Sequence, residues 1–225
     1  MNCYELIEYR CGSTDRKESC EKYLQEVAAP AMNRAGVSRV GLFDPGEATS
    51  LYVLAVHASF AAFAENRGRL LEDTDYAGMP ADPASIDPRN FDEAVSSIML
   101  AFPGMPDIAS PEPAPDRRYQ LRIYESPTPE AGKRKIEMFH AGEMEIFRRV
   151  GLDAVFFAEA LSGPRLPNLT YMLSFPDRDA QRAAWTAFVE DPEWKRLSGE
   201  AHYADAVIIR DIANIELTAL PGSQI

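Results

Sequence analysis

The amino-acid sequence predicts an α+β fold in which two tandem ferredoxin-like βαββαβ units close into one α/β barrel within a single chain. Three observations support this prediction: an internal repeat, the same order of strand-like and helix-like segments in both halves, and a proline-rich segment between them. The predicted boundaries are residues 1–105 for the first unit, 106–117 for the linker and 118–225 for the second unit.

The internal repeat holds its register over most of the chain. The segment YELIEY at residues 4–9 matches YQLRIY at residues 119–124, an offset of 115 residues. Beyond the loop at 162–167 the offset becomes 118, so that EDTDY at 72–76 matches EDPEW at 190–194. One three-residue insertion in that loop accounts for the change. A register of this length indicates a duplication.

Both halves show the same order of elements. Apolar and polar residues alternate in the predicted strands, whereas apolar residues recur every three or four positions in the predicted helices. Gly36 and Gly151 follow the first helix of each half, where a left-handed residue ends a helix at little cost. The strands are predicted at residues 3–10, 37–43, 51–57, 96–102, 118–124, 152–158, 169–175, and 206–210 with 215–219. The first helices are predicted at 16–35 and 130–150, and a second helix follows each strand pair.

Barrel closure follows from the need to cover each sheet. A four-stranded antiparallel sheet with two helices on one face leaves its other face bare, and a second sheet of the same kind can bury that face. Two such sheets joined edge to edge also lose their free edges. The proline-rich linker at 106–117 cannot continue a helix or a central strand, so it is expected to be extended.

Composition narrows the classes of partner. Apolar residues make up 46% of the 225-residue chain, and 23 basic against 35 acidic residues give a net charge of −12. Such a chain is globular, and it repels nucleic acids and anionic membrane surfaces. No apolar run approaches the length of a membrane span, so membrane insertion is not expected. The three cysteines form no CxxC pair and predict reduced, partly buried thiols in a cytoplasmic protein.

Glu143 and His140 are the candidate catalytic residues. On a helical wheel Glu143 falls in the middle of the apolar face of the helix 130–150, where an unpaired carboxylate would be costly. His140 lies one turn earlier, so the two could form a general base and its orienting partner. The alternative is a structural pair, or an ion pair between Glu143 and a strand arginine such as Arg122.

Four further residues are candidates for ligand binding. Arg122 and Tyr124 share one strand face and predict either an anion- or carbonyl-binding wall inside the barrel or a polar contact that seals the two sheets. Tyr171 and Trp185 belong to an aromatic set that either surrounds a ligand or forms core. The sequence carries no metal-ligand spacing and no nucleotide-binding motif, so no metal and no cofactor are predicted.

Three segments of the second half form a recognisable pattern: YQLRIYE at 119–125, NLTYMLSF at 168–175 and RAAWTAFVEDPEW at 182–194. With these segments the second half resembles the NIPSNAP family, which belongs to the dimeric α/β-barrel group of folds. The first half departs from this pattern, with Ala64 and Arg67 where Arg182 and Trp185 stand in the second. The family implies a fold but no settled catalytic motif. Related barrels include cofactor-free monooxygenases and isomerases, which is a likeness of fold alone.

The sequence therefore supports two functions. The first is a NIPSNAP-like barrel protein that binds a small, partly apolar molecule or a protein partner. The alternative is a cofactor-independent monooxygenase or isomerase that uses His140 and Glu143. Association of chains into a homo-oligomer stays open.

Overall fold

A computed structural model describes residues 1–46, 48–78, 91–112 and 114–225. The chain forms two compact units, one of residues 1–100 with 218–225 and one of residues 101–217.

The first unit follows the predicted order of elements. Ser13 and Ser59 each accept a backbone hydrogen bond at a helix start, as N-caps do. The elements are β1 (Cys3–Arg10), α1 (Thr14–Tyr23), a π-helical segment (Leu24–Ala28), α2 (Ala29–Arg34), β2 (Arg39–Asp44), β3 (Ser50–His57), α3 (Phe60–Glu72), α4 (Thr74–Ala77) and β4 (Glu93–Ala101).

The second unit repeats this order. Thr128 and Asp177 cap its two main helices, and Gly151 ends the first of them with φ 81°. The elements are β5 (Arg118–Glu125), α5 (Pro129–Met138), a π-helical segment (Phe139–Glu143), α6 (Met144–Val150), β6 (Asp153–Ser162), β7 (Asn168–Phe175), α7 (Arg178–Glu190), α8 (Pro192–Ser198), a 3₁₀ turn (Ala201–Tyr203), α9 (Asp205–Ile208) and β8 (Asp211–Ala219).

The strands close into an antiparallel barrel in the order β1-β3-β2-β8-β5-β7-β6-β4. Within each half the pairing is that of a ferredoxin-like sheet, with β1 between β3 and β4 and with β5 between β7 and β8. The predicted fold class is thus confirmed.

The C-terminal segment completes the first unit. Leu220 and Gln224 donate backbone hydrogen bonds to β2, to the carbonyl oxygens of Leu42 (2.9 Å) and Val40 (3.0 Å). The side chains of Ser223 and Gln224 accept hydrogen bonds from the N–H groups of Leu42 and Val40. These residues therefore continue the ladder along an edge of β2 that would otherwise offer unpaired backbone groups.

The cores of the two units differ in character. The first is mainly aliphatic and includes the buried free thiols Cys11 and Cys20. The second is built on aromatic rings, among them Phe139, Phe147 and Phe157. In the part of the chain that the structure describes, no helix has both the length and the apolarity needed to span a bilayer.

Two expectations about secondary structure are wrong. Residues 206–210 do not form a strand, because the N–H of Ile209 closes a helical turn on the carbonyl of Asp205 (2.8 Å) and buries Ile208 in the core. The segment 130–150 is not one regular α-helix either, since the π-helical segment Phe139–Glu143 interrupts it. A π-helical segment also occurs at Leu24–Ala28, again 115 residues earlier.

Candidate functional site

A cavity of about 690 Å³ opens in the second unit. Three parts of that unit surround it: the helical segment from Phe139 to Arg148, the strands β6 and β7, and the residues 104–112 with Arg117 that precede β5. Its volume lies within the range of about 300–1,000 Å³ that is usual for small-molecule sites.

The floor of the cavity is aromatic. Phe139, Phe147 and Phe157 line it, with ring centroids 5.4–5.9 Å apart and mostly edge-to-face geometry. Leu152 and Ala154 extend this apolar surface. A rigid floor of this kind can bind a flat apolar group, because aromatic pairs favour offset or edge-on contacts.

The segment before β5 forms one wall of the cavity. Phe102 donates a backbone hydrogen bond to Phe157 (2.9 Å), and Ala109 donates one to Val155 (2.9 Å), so this segment lies along β6. Gly104 lies close to His140, since a Cβ atom at residue 104 would come within 3.3 Å of the His140 ring. The proline-rich linker is thus part of the cavity.

His140 lies in the helical wall and faces the cavity. Its side chain is exposed, and its ring centroid is 5.1 Å from that of Phe102. The imidazole can therefore reach a bound molecule.

Glu143 does not pair with His140, contrary to the expectation from sequence. Its carboxylate accepts a 2.9 Å hydrogen bond from Lys135 Nζ, and both side chains are 2% exposed. Burial raises the pKa of Glu143, and Lys135 opposes that rise. Glu143 is absent from the cavity lining, because its side chain is buried in the core whereas that of His140 is exposed. The second candidate catalytic residue is thus buried in the core.

The four predicted ligand-binding residues form a cluster outside the cavity lining. Arg122 Nη2 donates to the Tyr124 hydroxyl (3.0 Å), and the Tyr171 hydroxyl donates to the same oxygen (3.1 Å). The Arg122 guanidinium lies over the Trp185 ring, 4.8 Å from its centroid.

This cluster faces the helices, so the expectation that Arg122 and Tyr124 face the barrel interior is wrong. Both side chains lie on the face of β5 that also packs against Phe139 and Trp185, and Trp185 Nε1 donates to Gln120 on the same face (2.8 Å). Burial raises the pKa of the Tyr171 hydroxyl well above its usual value. A ligand role for these four residues stays a prediction.

The sequence reasoning missed Arg117. It lines the cavity, and its Nε atom is buried and has no hydrogen-bond partner in the structure. The available signal was a basic residue at the end of an acidic, proline-rich linker, directly before a strand, which also fits an ordinary surface residue. Within the described residues no cluster of His, Cys, Asp or Glu suited to a metal ion is found.

Comparisons with known proteins agree with this architecture. The NIPSNAP family model matches residues 119–224. The comparison with curated proteins found no match. Among solved structures, a monooxygenase-like protein of Fusobacterium nucleatum is 12% identical, with a TM-score of 0.61 and coverage of 97% of this chain and 92% of the other.

Two further structures are similar. An anthrone oxidase-like protein is 9% identical with a TM-score of 0.59, and the match covers 97% of this chain and 91% of that protein. A NIPSNAP-like domain protein of Burkholderia xenovorans is 15% identical with a TM-score of 0.43, and the match covers 48% of this chain and 90% of that protein. At these identities the likeness to the first two structures shows the fold alone.

Proposed function

We propose, from the match of the NIPSNAP family model to residues 119–224, that this half of the chain binds a small, partly apolar molecule in its cavity. The observation that carries the proposal is the space of about 690 Å³ over an aromatic floor, with a lining that is more apolar than polar. A cavity of that size that combines apolar surface with polar groups is the usual form of a ligand site.

The first half differs from the second at residues that carry the resemblance to the NIPSNAP family. Its core is mainly aliphatic, and Ala64 and Arg67 stand where the second half has Arg182 and Trp185. We therefore propose that the chain arose by duplication and that the second half kept the ligand site. A cytoplasmic location would suit its three free thiols.

The binding proposal is tested with the uncharged fluorescent probe N-phenyl-1-naphthylamine. The change is Ala154→Phe, which places a ring in the cavity, and the control is Ala160→Phe on the same strand but outside the lining. We expect saturable binding to the unmodified protein, an affinity at least about tenfold lower for Ala154→Phe, and no change for Ala160→Phe. Equal affinity in all three proteins would contradict a cavity site.

A cofactor-independent monooxygenase or isomerase is the second candidate. The observation that favours it is the position of His140, whose imidazole faces the cavity and can accept a proton from a bound molecule. Without Glu143 beside it, His140 would act as a single base. The test measures oxygen uptake or isomerisation with aromatic ketones as substrates. Loss of that activity in His140→Gln, with probe binding unchanged, would support this function.

A further inference from the structure

We infer that the cavity selects an aromatic oxyanion, such as an aromatic carboxylate, and that Arg117 binds its charged group. The inference rests on the proposed binding function and adds the class of ligand. It is carried by the position of one guanidinium at the end of an aromatic cavity.

Arg117 is held at the cavity by its backbone. It is the last residue before β5, and its N–H closes a turn on the carbonyl of Ala114 (3.2 Å). The side chain is half-buried and lines the cavity. The guanidinium therefore lies where the linker and the sheet meet.

Among the described residues, no hydrogen bond or ion pair to the Arg117 guanidinium is found. Its Nε atom is buried and makes no hydrogen bond, and the charge of Arg117 opposes the rise that burial causes in the pKa of the Tyr119 hydroxyl. A guanidinium without a carboxylate partner is a charge left without compensation, and an anion bound in the cavity that its side chain lines would supply that compensation. Because the guanidinium is planar and always charged, the acceptor that fits it best is an oxyanion.

The other charged groups at the cavity are already satisfied. Arg148 forms two hydrogen bonds with Glu145 at the rim, at 2.5 and 3.1 Å. Glu112 and Asp153 are exposed, so water solvates them and screens their repulsion of an anion. Among the described lining residues, Arg117 is thus the cation available to a ligand.

The apolar part of the ligand is set by the floor. Phe139, Phe147 and Phe157 present ring edges and faces to the cavity, which favours a flat aromatic body over a flexible chain. An aromatic ring system with one oxyanion satisfies both the floor and Arg117.

Two dyes with the same skeleton test the inference. N-phenyl-1-naphthylamine is neutral, and 8-anilino-1-naphthalenesulfonate adds one sulfonate to that skeleton. We expect Arg117→Gln to weaken binding of the sulfonate dye at least about tenfold and to change binding of the neutral dye less than about twofold. The control Arg182→Gln, an exposed residue outside the lining, should affect neither dye.

The outcomes separate the inference from the proposed function. If Arg117→Gln leaves the affinity for the sulfonate dye unchanged, or weakens both dyes equally, the oxyanion role of Arg117 is wrong while the cavity site stands. If the neutral dye does not saturate, or Ala154→Phe does not affect it, both proposals fail. Arg117→Lys keeps the positive charge but not the planar guanidinium, so it should bind the sulfonate dye with intermediate affinity. This second variant shows whether a weaker affinity in Arg117→Gln comes from the lost charge or from a folding defect of that variant.

Discussion

Lys135 and Glu143 show how the second unit holds charges in an aromatic core. Besides its bond to Glu143, the Lys135 ammonium lies 5.0 Å from the centroid of the Phe139 ring, 5.3 Å from that of Tyr124 and 5.7 Å from that of Trp194. Ring faces attract a cation most where water is excluded. The buried pair is tolerated because each charge has a partner. Removing either side chain would leave the other charge buried and unpaired.

Replacing Lys135 by Met should therefore destabilise the protein by about 3–5 kcal/mol, since Glu143 would be left buried without a partner. The double change Lys135→Met with Glu143→Leu should recover much of this loss. Urea unfolding followed by tryptophan fluorescence measures both. If the double variant is as unstable as Lys135→Met, the loss of stability comes from altered packing and not from the unpaired charge of Glu143.

The stability of Lys135→Met should also depend on pH. Burial raises the pKa of Glu143 in the folded protein, so in the folded state this carboxyl holds its proton at pH values where the unfolded chain has released it. In Lys135→Met, which lacks the opposing ammonium, the stability is largest below the ordinary glutamate pKa and falls as pH rises through the folded-state pKa. Unfolding free energies measured from pH 4 to 8 should show a larger fall in Lys135→Met than in the wild type, where the ammonium opposes the rise in the pKa of Glu143.

Sequence reasoning located the burial of Glu143 but not its partner. A helical wheel at 100° per residue assumes one regular helix, and the π-helical segment Phe139–Glu143 changes that angle midway. The wheel placed His140 within reach of Glu143 and did not consider Lys135; in the structure the lysine is buried beside Glu143 and the histidine lines the cavity.

At the scale of elements, the linker is the feature whose role sequence could not show. Its prolines exclude helix and central strand, but they do not say which surface the segment follows. The N–H groups of Phe102 and Ala109 fix it along β6. The pattern of glycines was more informative, because Gly36 and Gly151 end their helices with positive φ, as predicted.

The change Ala109→Pro tests the linker as a wall of the cavity. Proline removes the N–H that Val155 accepts, so the segment should loosen and the affinity for N-phenyl-1-naphthylamine should fall by about tenfold. Ala109→Ser keeps the donor and should bind as the wild type does. Fluorescence titration of the three proteins decides the matter, and an unaltered affinity in Ala109→Pro would mean that the linker encloses no ligand.

At the scale of the whole molecule, the closed barrel was predictable because the repeat showed two bare sheets in one chain. The sequence did not show that residues 218–225 belong to the first compact unit, since the repeat assigned the entire C-terminal part to the second. Hydrogen bonds from the last residues to β2 are contacts between distant parts of the sequence, and no local pattern encodes them.

Deleting residues 220–225 should therefore weaken the first unit. Four hydrogen bonds to β2 are lost, and we expect a decrease of about 2 kcal/mol or more in its stability. Both tryptophans, Trp185 and Trp194, lie in the second unit. The thermal transition seen by circular dichroism should fall by several degrees more than the one seen by tryptophan fluorescence. Equal shifts would contradict this assignment.

Because hydrogen bonds hold the linker along β6, protease cleavage of the linker should report whether the cavity is occupied. A protease cleaves a chain segment that can become extended and detach from the protein. A molecule bound in the cavity would contact residues 104–112 and keep this segment in place. Cleavage there should slow as the site fills. Timed digestion could then screen for natural ligands without any dye or assumed reaction.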